Sequence, residues 1–361
     1  MPSVVIQWVI DLLQEKEMAE RKLATIRRID NIESIEGADK IVKATIGGWQ
    51  VVTAIDNGFK VGDLVVYLEV DSWVPSTLAP FLTKPGHFPK TYNGVEGEKL
   101  KSIKLRGTIS QGLIMPMHVL TNYGADLSEG DDVTETLGIQ KWEKPIPAQL
   151  AGLVKGNFPP LIPKTDQERV QNLKREIQDA ISAETVFEIT EKLEGSSMTC
   201  YLIDGEFGVC SRNLDLKRDE NNTFWKTAID SDVEARMRKY GDNFALQGEL
   251  IGPGVQDNIY KLSSHQFRIF DVFDIKTGTK LLPEARQAVV RDLNLLHVPI
   301  IAYHAQLLDT LGLGTMEDII KFADGKSQLN TQQDREGLVF KQADKNFSFK
   351  SISNKYLLKQ D

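Results

Sequence analysis

Residues that build disulfide and metal centres are scarce in this chain. Its 361 positions hold two cysteines and five histidines. Two thiols are too few for a disulfide framework or a zinc site, and the histidines show no ligand spacing. Cys200 and Cys210 flank the turn-like Asp204-Gly205-Glu206, so they are expected near each other across a hairpin, as buried free thiols of a reducing cytosol. Long apolar runs are missing as well. The nearest approach, Val4 to Leu13, is broken by Gln7 and Asp11 and follows no basic segment, which argues against a secretory signal or a membrane span. Basic charge is not in excess either: 43 Lys and Arg stand against 51 Asp and Glu, a net charge of −8. This argues against bulk attraction to a polyanion, and such a partner must be held by a local basic surface. Internal repeats and low-complexity tracts are absent.

What is present is an ordinary soluble composition, 41% hydrophobic and 26% charged. The length exceeds what one compact core usually holds, so two domains are expected. Met18, followed by Ala19-Glu20-Arg21-Lys22, reads as a natural start. That sets residues 1–17 apart as an optional helical extension or an upstream artefact, within an N-terminal extension of 1–20. From Lys22 to about Leu137 there are short β-like runs, at 24–32, 41–46, 50–54, 64–68 and 113–116. Turns separate them at Gly47-Gly48, Asn57-Gly58, Gly62-Asp63 and Asn93-Gly94. This spacing predicts a small barrel or sandwich over 21–140. The stretch from Ala38-Asp39-Lys40-Ile41 through Gly62-Asp63 resembles OB-fold nucleic-acid-binding modules of the tRNA-binding type.

Residues 141–164, with Pro145, Pro147, Pro159, Pro160 and Pro163, have no strand or helix periodicity and read as a linker. Thr165 and Glu168 have the spacing of a capping box, which predicts a helix over 166–180 and the start of a second domain, 165–361. β-like runs dominate from Phe187 onward, with helices expected at 230–239, 283–295 and 315–322. The pattern is α+β rather than a regular βαβ repeat.

The chemistry lies in an ordered set of charged residues, each at the edge of an apolar run. Lys192 stands in Glu191-Lys192-Leu193-Glu194-Gly195, on a tight loop bounded by the glycine. Taken alone, Lys-x-Glu-Gly is common and describes an exposed loop lysine. It is followed by Arg212 in Ser211-Arg212-Asn213, Glu249 in Gly248-Glu249-Leu250, and Phe270-Asp271. Glu336-Gly337 and Lys350 in Phe349-Lys350-Ser351 complete the series. Singly, Glu249 and Glu336 are solvated strand ends and Phe270 is a core residue; the order and spacing together make one charged cleft. A basic strip, Lys99, Lys101, Lys104 and Arg106, is either a solvated hairpin face or a phosphate-contacting surface. Trp73 and Tyr92 read as core or barrel-rim aromatics.

This series resembles the ordered motifs of covalent nucleotidyltransferases, the polynucleotide ligases and RNA capping enzymes, over residues 187–359. It is most similar to ATP-dependent RNA ligases that carry an OB domain ahead of the catalytic domain. Lys104-Leu105-Arg106-Gly107 with Ser110-Gln111-Gly112-Leu113 also resembles that branch. The resemblance implies an OB-like barrel followed by a catalytic domain of ATP-grasp-like antiparallel sheets with helices. It implies that Lys192 attacks the α-phosphorus of ATP, an attack that needs a neutral amine. With a reference pKa of about 10.4, only about 0.04% of a lysine is neutral at pH 7. Glu191 would then read the adenine edge, Phe270 stack on the base, and Glu249 hold the ribose. Gly195 and Arg212 would line the nucleotide, and Lys350 would face the α-phosphate. Glu194, Glu249 and Glu336 would orient water around Mg²⁺ or Mn²⁺, and Lys101, Lys104 and Arg106 would contact nucleic acid. An RNA-sealing, monomeric, cytoplasmic enzyme is the expectation.

Two positions depart from the family pattern. Glu194 stands where many relatives have aspartate, and Ile352 where related ligases often have a second lysine, leaving Lys355 or Lys345 as stand-ins. DNA ligases and capping guanylyltransferases usually carry an OB domain after the last lysine motif, whereas this chain stops at Asp361, which disfavours them. The rival of another class is a non-catalytic nucleic-acid-binding protein with a decayed domain.

Overall fold

The computed structural model of the protein describes residues 22–123, 127–142 and 152–358. The N-terminal extension expected at 1–20 lies outside the described residues. The chain divides into two compact units, one up to Pro145 and one from Ile146. Among the described residues no helix is long and apolar enough to cross a membrane.

The first unit is made of short strands. They are β1 (Ala24–Arg28), β2 (Asn31–Ser34), β3 (Ile41–Ile46), β4 (Trp49–Ala54), β5 (Leu64–Leu68) and β6 (Ser72–Pro75). They continue with β7 (Lys90–Tyr92), β8 (Val95–Lys99), β9 (Ser102–Leu105), β10 (Thr108–Gln111), β11 (Leu113–Pro116) and β12 (Gln140–Lys141). The apolar run of β5 has a simple cause. It lies between β1 and β11, and its side chains alternate between two cores. Val66 and Leu68 join Ile26, Val74 and Met115, while Val65 and Tyr67 join Ile46, Trp49 and Val51. A strand covered on both faces loses the polar half of the period-two pattern. Trp73 and Tyr92 pack on each other, with ring centroids 5.4 Å apart. The buried Trp73 also donates its indole N–H to the Val95 carbonyl.

The second unit contains two largely antiparallel sheets. Its elements begin with β13 (Val154–Asn157), β14 (Glu168–Arg169), α1 (Lys174–Ser182), β15 (Val186–Lys192), β16 (Ser196–Ile203), β17 (Glu206–Cys210) and β18 (Leu214–Leu216). There follow α2 (Thr223–Asp230), α3 (Val233–Tyr240), β19 (Phe244–Ile251), β20 (Gln266–Asp274), β21 (Thr279–Lys280), α4 (Pro283–Asp292), β22 (Leu296–His297) and β23 (Ile300–Gln306). The last are α5 (Met316–Ala323), β24 (Gly337–Gln342), β25 (Ser348–Ile352) and α6 (Asn354–Leu357). One sheet runs β13-β18-β17-β16-β19-β20-β21 with β22 beside β20; the other runs β14-β25-β24-β15-β23. Both cysteines are buried and free, on the neighbouring strands β16 and β17.

Three local expectations are corrected. The helix predicted over 166–180 begins only at Lys174. Thr165 spends its hydroxyl on Ser197 and Glu168 accepts from Asn172, while Glu168 and Arg169 join β25 as a parallel strand. A capping-box spacing is a local signal, and ladder pairing overrides it here. The linker is shorter than predicted: β13 pairs with β18, Ile162 is buried with Tyr201 and Phe273, and the Pro163 carbonyl accepts from Gln247. Residues 143–151 of that passage lie outside the described residues. The helix expected at 230–239 begins only at Val233, and an unexpected helix, Thr223–Asp230, precedes it across Ser231-Asp232, where Asp232 adopts φ +53°. The other two hold within a few residues, and Thr315 with Asp318 forms a true capping box on α5.

Candidate active site

The sheets meet where β15 ends. Segment 193–195 carries the chain from Lys192, in the five-stranded sheet, to β16 in the eight-stranded one. Antiparallel pairing sets Lys192 opposite Gly337, and this delivers Glu336 to the lysine across 144 residues of sequence. The Lys192 Nζ to Glu336 Oε1 distance is 2.6 Å. On the other sheet Ser197 faces Glu249. Gly195 permits the close approach: a Cβ there would lie 2.8 Å from the Glu249 Cγ. Lys192, Gly195, Glu249 and Glu336 therefore converge on one crease.

The electrostatics of this cluster are governed by crowded carboxylates. Burial draws the Lys192 pKa down, but Glu336 and Glu249 outweigh it and hold the amine above the ordinary lysine value, with Arg169 opposing them. Burial pushes Glu249 up to about 8, with Lys192 pulling it down and Glu336 raising it further. Glu194 is raised by burial and then by Glu336. A set of carboxylates that resist losing their protons fits a divalent cation, whose charge would relieve them. Among the described residues no three His, Cys, Asp or Glu side chains converge to ligate an ion directly.

Around the cluster the other sequence candidates have definite places. Glu191 is 1% exposed. One of its carboxylate oxygens accepts from the Gln328 N–H at 2.8 Å, while the buried Oε1 has no hydrogen-bond partner. A buried acceptor lacking a donor suits an incoming amino group. Phe270 is the extra residue of a β-bulge, since Gln247 pairs with Asp271 and Gly248 with Ile269. The bulge re-aims its ring out of the regular alternation. Arg212 is exposed and binds both carboxylate oxygens of Asp166, at 2.8 and 3.0 Å. The hairpin β9–β10 of the first unit displays Lys101, Lys104 and Arg106 to solvent. Lys99 instead pairs with Asp71 and covers the Trp142 ring.

Sequence reasoning missed two residues here. Arg169 is buried on β14, directly opposite Lys350 in register, and close enough to Lys192 to act on its charge. Ile352 is buried, Lys345 sits in the turn at the far end of the β24–β25 hairpin, and Arg169 is the cation that register places opposite Lys350. It was hidden inside a segment read as helix. Tyr356 on α6 hydrogen-bonds the Glu194 carboxylate, and the Glu194 N–H donates to Tyr260. The longer arm of glutamate is thus held at both ends.

Beneath the crease lies a buried ionic network. Arg286 of α4 and Gln287 both donate to Glu188 of β15, and Lys341 of β24 donates to Asp271 and to the Phe270 carbonyl. Burial would raise the Asp271 pKa, but Lys341, Lys280 and Arg286 hold it far below the usual carboxylate range. His297 accepts from Arg286 Nε at 3.1 Å and donates Nδ1–H to the Val298 carbonyl at 2.7 Å, as a neutral ring. Burial and then the Arg286 charge push its pKa down to about 4. The folded protein therefore binds fewer protons at this ring than the unfolded chain. Its contribution to stability is complete above about pH 6.5 and is lost as pH falls toward 4. By pH 5 the loss reaches about 2 kcal/mol. Thermal melts at pH 7 and 5 should show a smaller pH-induced drop for His297→Asn than for wild type; equal drops would reject this assignment.

Two largely antiparallel sheets meeting at a lysine ringed by carboxylates have the form of a nucleotidyltransferase domain. The comparisons agree. A family model described as RNA ligase matches residues 185–357, and an OB-fold domain model matches 23–117. A solved RNA ligase of Naegleria gruberi, a mutant with AMP and Mn, is 42% identical with a TM-score of 0.83, over 93% of this chain and 98% of that one. The same ligase with PPi is 43% identical over the same shares, also with a TM-score of 0.83. A further mutant was solved with ATP and Mn, at 42% identity and a TM-score of 0.83 over those same shares. No curated protein sequence matches. The chain belongs to the RNA ligase family.

Proposed function

We propose that the protein is an ATP-dependent RNA ligase that joins 5′-phosphate and 3′-hydroxyl ends through a lysyl-AMP intermediate on Lys192. The observation that carries this reading is the Lys192–Glu336 pair in the crease, with Glu249 and Gly195 on the facing sheet. The neutral Lys192 amine attacks the α-phosphorus of ATP, the bond to the bridging oxygen breaks, and pyrophosphate leaves. A 5′-phosphate oxygen then takes the AMP from the lysine, and a 3′-hydroxyl displaces AMP to form the phosphodiester. The orphaned Glu191 oxygen accepts the adenine amino group, and the bulged Phe270 ring stacks on the base. Arg169 and Lys350 form a paired cationic wall for the phosphates, and Arg212 faces the nucleic-acid end. Glu194, Glu249 and Glu336 would hold a hydrated Mg²⁺ or Mn²⁺, which when bound would neutralise phosphate charge and favour the uncharged amine. The Naegleria structures with ATP and Mn, AMP and Mn, and PPi support this set of ligands. The exposed Lys101, Lys104 and Arg106 add a phosphate-contacting surface. The reading includes a monomer working in a reducing cytoplasm, in keeping with two free thiols.

A sealing assay tests it. Nicked duplexes with a 5′-phosphate should be sealed when the 3′-hydroxyl strand is RNA and far more slowly when it is DNA. Equal or faster sealing of DNA ends would overturn the RNA assignment, and no AMP adduct with ATP and Mn²⁺ would overturn the reaction.

A further inference from the structure

We propose that loop 83–89 of the first unit is an RNA-stacking site in which Phe88 is the platform for a base of the bound strand. The inference rests on the RNA ligase reading and adds to it a contact outside the nucleotidyltransferase unit. Phe88 is 93% exposed, the most exposed large apolar side chain among the described residues, and Phe81 nearby is 64% exposed. Isolated exposed apolar residues are ordinary, but a wholly exposed ring carried on a tight turn is not. The His87 N–H donates to the Lys84 carbonyl at 3.0 Å, with Pro85 and Gly86 between them and Gly86 at φ +82°. Pro then Gly at these positions, with positive φ at the second, is the chemistry of a type II turn. Pro89 follows immediately and restricts Phe88 from the other side. The ring is thus presented by a preset backbone, so little conformational freedom remains to be lost when a base lands on it.

The charge around the ring selects the occupant. In a chain with net charge −8, residues 72–95 contain no Asp or Glu, while Lys84, His87 and Lys90 surround Phe88 in sequence. Lys84 and His87 are exposed; the Lys90 side chain is 78% exposed, with its Nζ 3.9 Å from a carboxylate oxygen of Glu98 on β8, which offsets part of its charge. A protein-binding hot spot would be expected to sit in an apolar surround. Cations flanking a bare ring match the repeat of a single strand, a base on the ring and phosphates on the amines. The ladder sets Lys90 opposite Gly97 on β8, four residues before Lys101 and the basic β9 hairpin. Loop and hairpin therefore belong to one end of this unit.

The test is fluorescence anisotropy with labelled RNA, both single-stranded and as a nicked duplex with a 5′-phosphate, run in parallel with Lys192 adenylation by ATP and Mn²⁺. Phe88→Ala should weaken RNA binding roughly 5- to 100-fold, the range expected for losing one base–aromatic stack. Phe88→Trp should restore it, and Lys84→Ala should lower the slope of log affinity against log salt by about one. Adenylation and melting temperature should be unchanged in Phe88→Ala, because the ring is 93% exposed and packs in no core. RNA affinity of Phe88→Ala within twofold of wild type would overturn the proposal and leave the loop to a partner of another class. Absence of an AMP adduct in the wild type would instead overturn the ligase reading, so the two failures are distinguishable.

Discussion

With labelled ATP and Mn²⁺, Lys192→Ala is expected to yield no covalent AMP, a fall to background of at least about 1,000-fold. The nucleophile must be an amine that can form a phosphoramidate, and Lys192 is the amine set among the carboxylates Glu336 and Glu249. Alanine also removes the charge that offsets these groups, so a loss of adduct alone leaves two explanations. Lys192→Arg separates them. Guanidinium keeps the charge and the partner Glu336 but is almost never neutral, with a pKa above about 12. It should stay folded and equally inert. The wild-type rate should also climb with pH across the neutral range. Without metal, Glu336 and Glu249 hold the amine above its ordinary pKa, so its neutral fraction is small and grows with pH; a bound divalent cation would move that rise to lower pH. Wild-type levels of adduct in either variant would displace Lys192 from its role.

The second large effect is on stability. Arg286→Met should destabilise the second unit by about 3–5 kcal/mol, the usual result of removing one partner of a buried ion pair. Arg286 and Glu188 both have fully buried side chains. Removing the guanidinium leaves Glu188 with Gln287 alone, and it also strips the donor from His297. The expected fall in melting temperature is roughly 6–20 °C for a unit of this size. Adding Glu188→Leu should recover most of it, because two apolar side chains of similar volume avoid the desolvation penalty. The site should suffer too. Glu188 lies on β15, the strand that ends in Lys192, and His297 lies on β22 beside β20, the strand of Phe270. The pair therefore ties together the two sheets whose crease is the site. A loss below about 1 kcal/mol would show that the network is dispensable.

Much of the site was readable in one dimension because its members sit at strand ends. A charged residue beside an apolar run stands out in sequence, and the ordered set from Lys192 to Lys350 contains the lysine and carboxylates of the crease but not Arg169, Tyr260 or Tyr356. Arg169 has no such marking. Its importance comes from the register Arg169 to Lys350, which arises only when β14 joins β25. Thr165 and Glu168 advertised a helix start, yet Ser197 and Asn172 claimed their side chains. Phe88 was equally silent, since exposure is not written in a Pro-Gly-His-Phe-Pro string.

By itself the sequence determined the chemistry available: a lysine, three glutamates and a cation in family order, and two units of β-rich chain. Those follow from residue identity and local period, which a linear reading can see. Only the tertiary structure decided which groups share a charge environment, and so why Lys192 rests as an ammonium bound to Glu336 and which cation stands beside Lys350. Coulomb energy and desolvation depend on distances of a few ångströms, and those distances come from sheet pairing between residues more than a hundred positions apart.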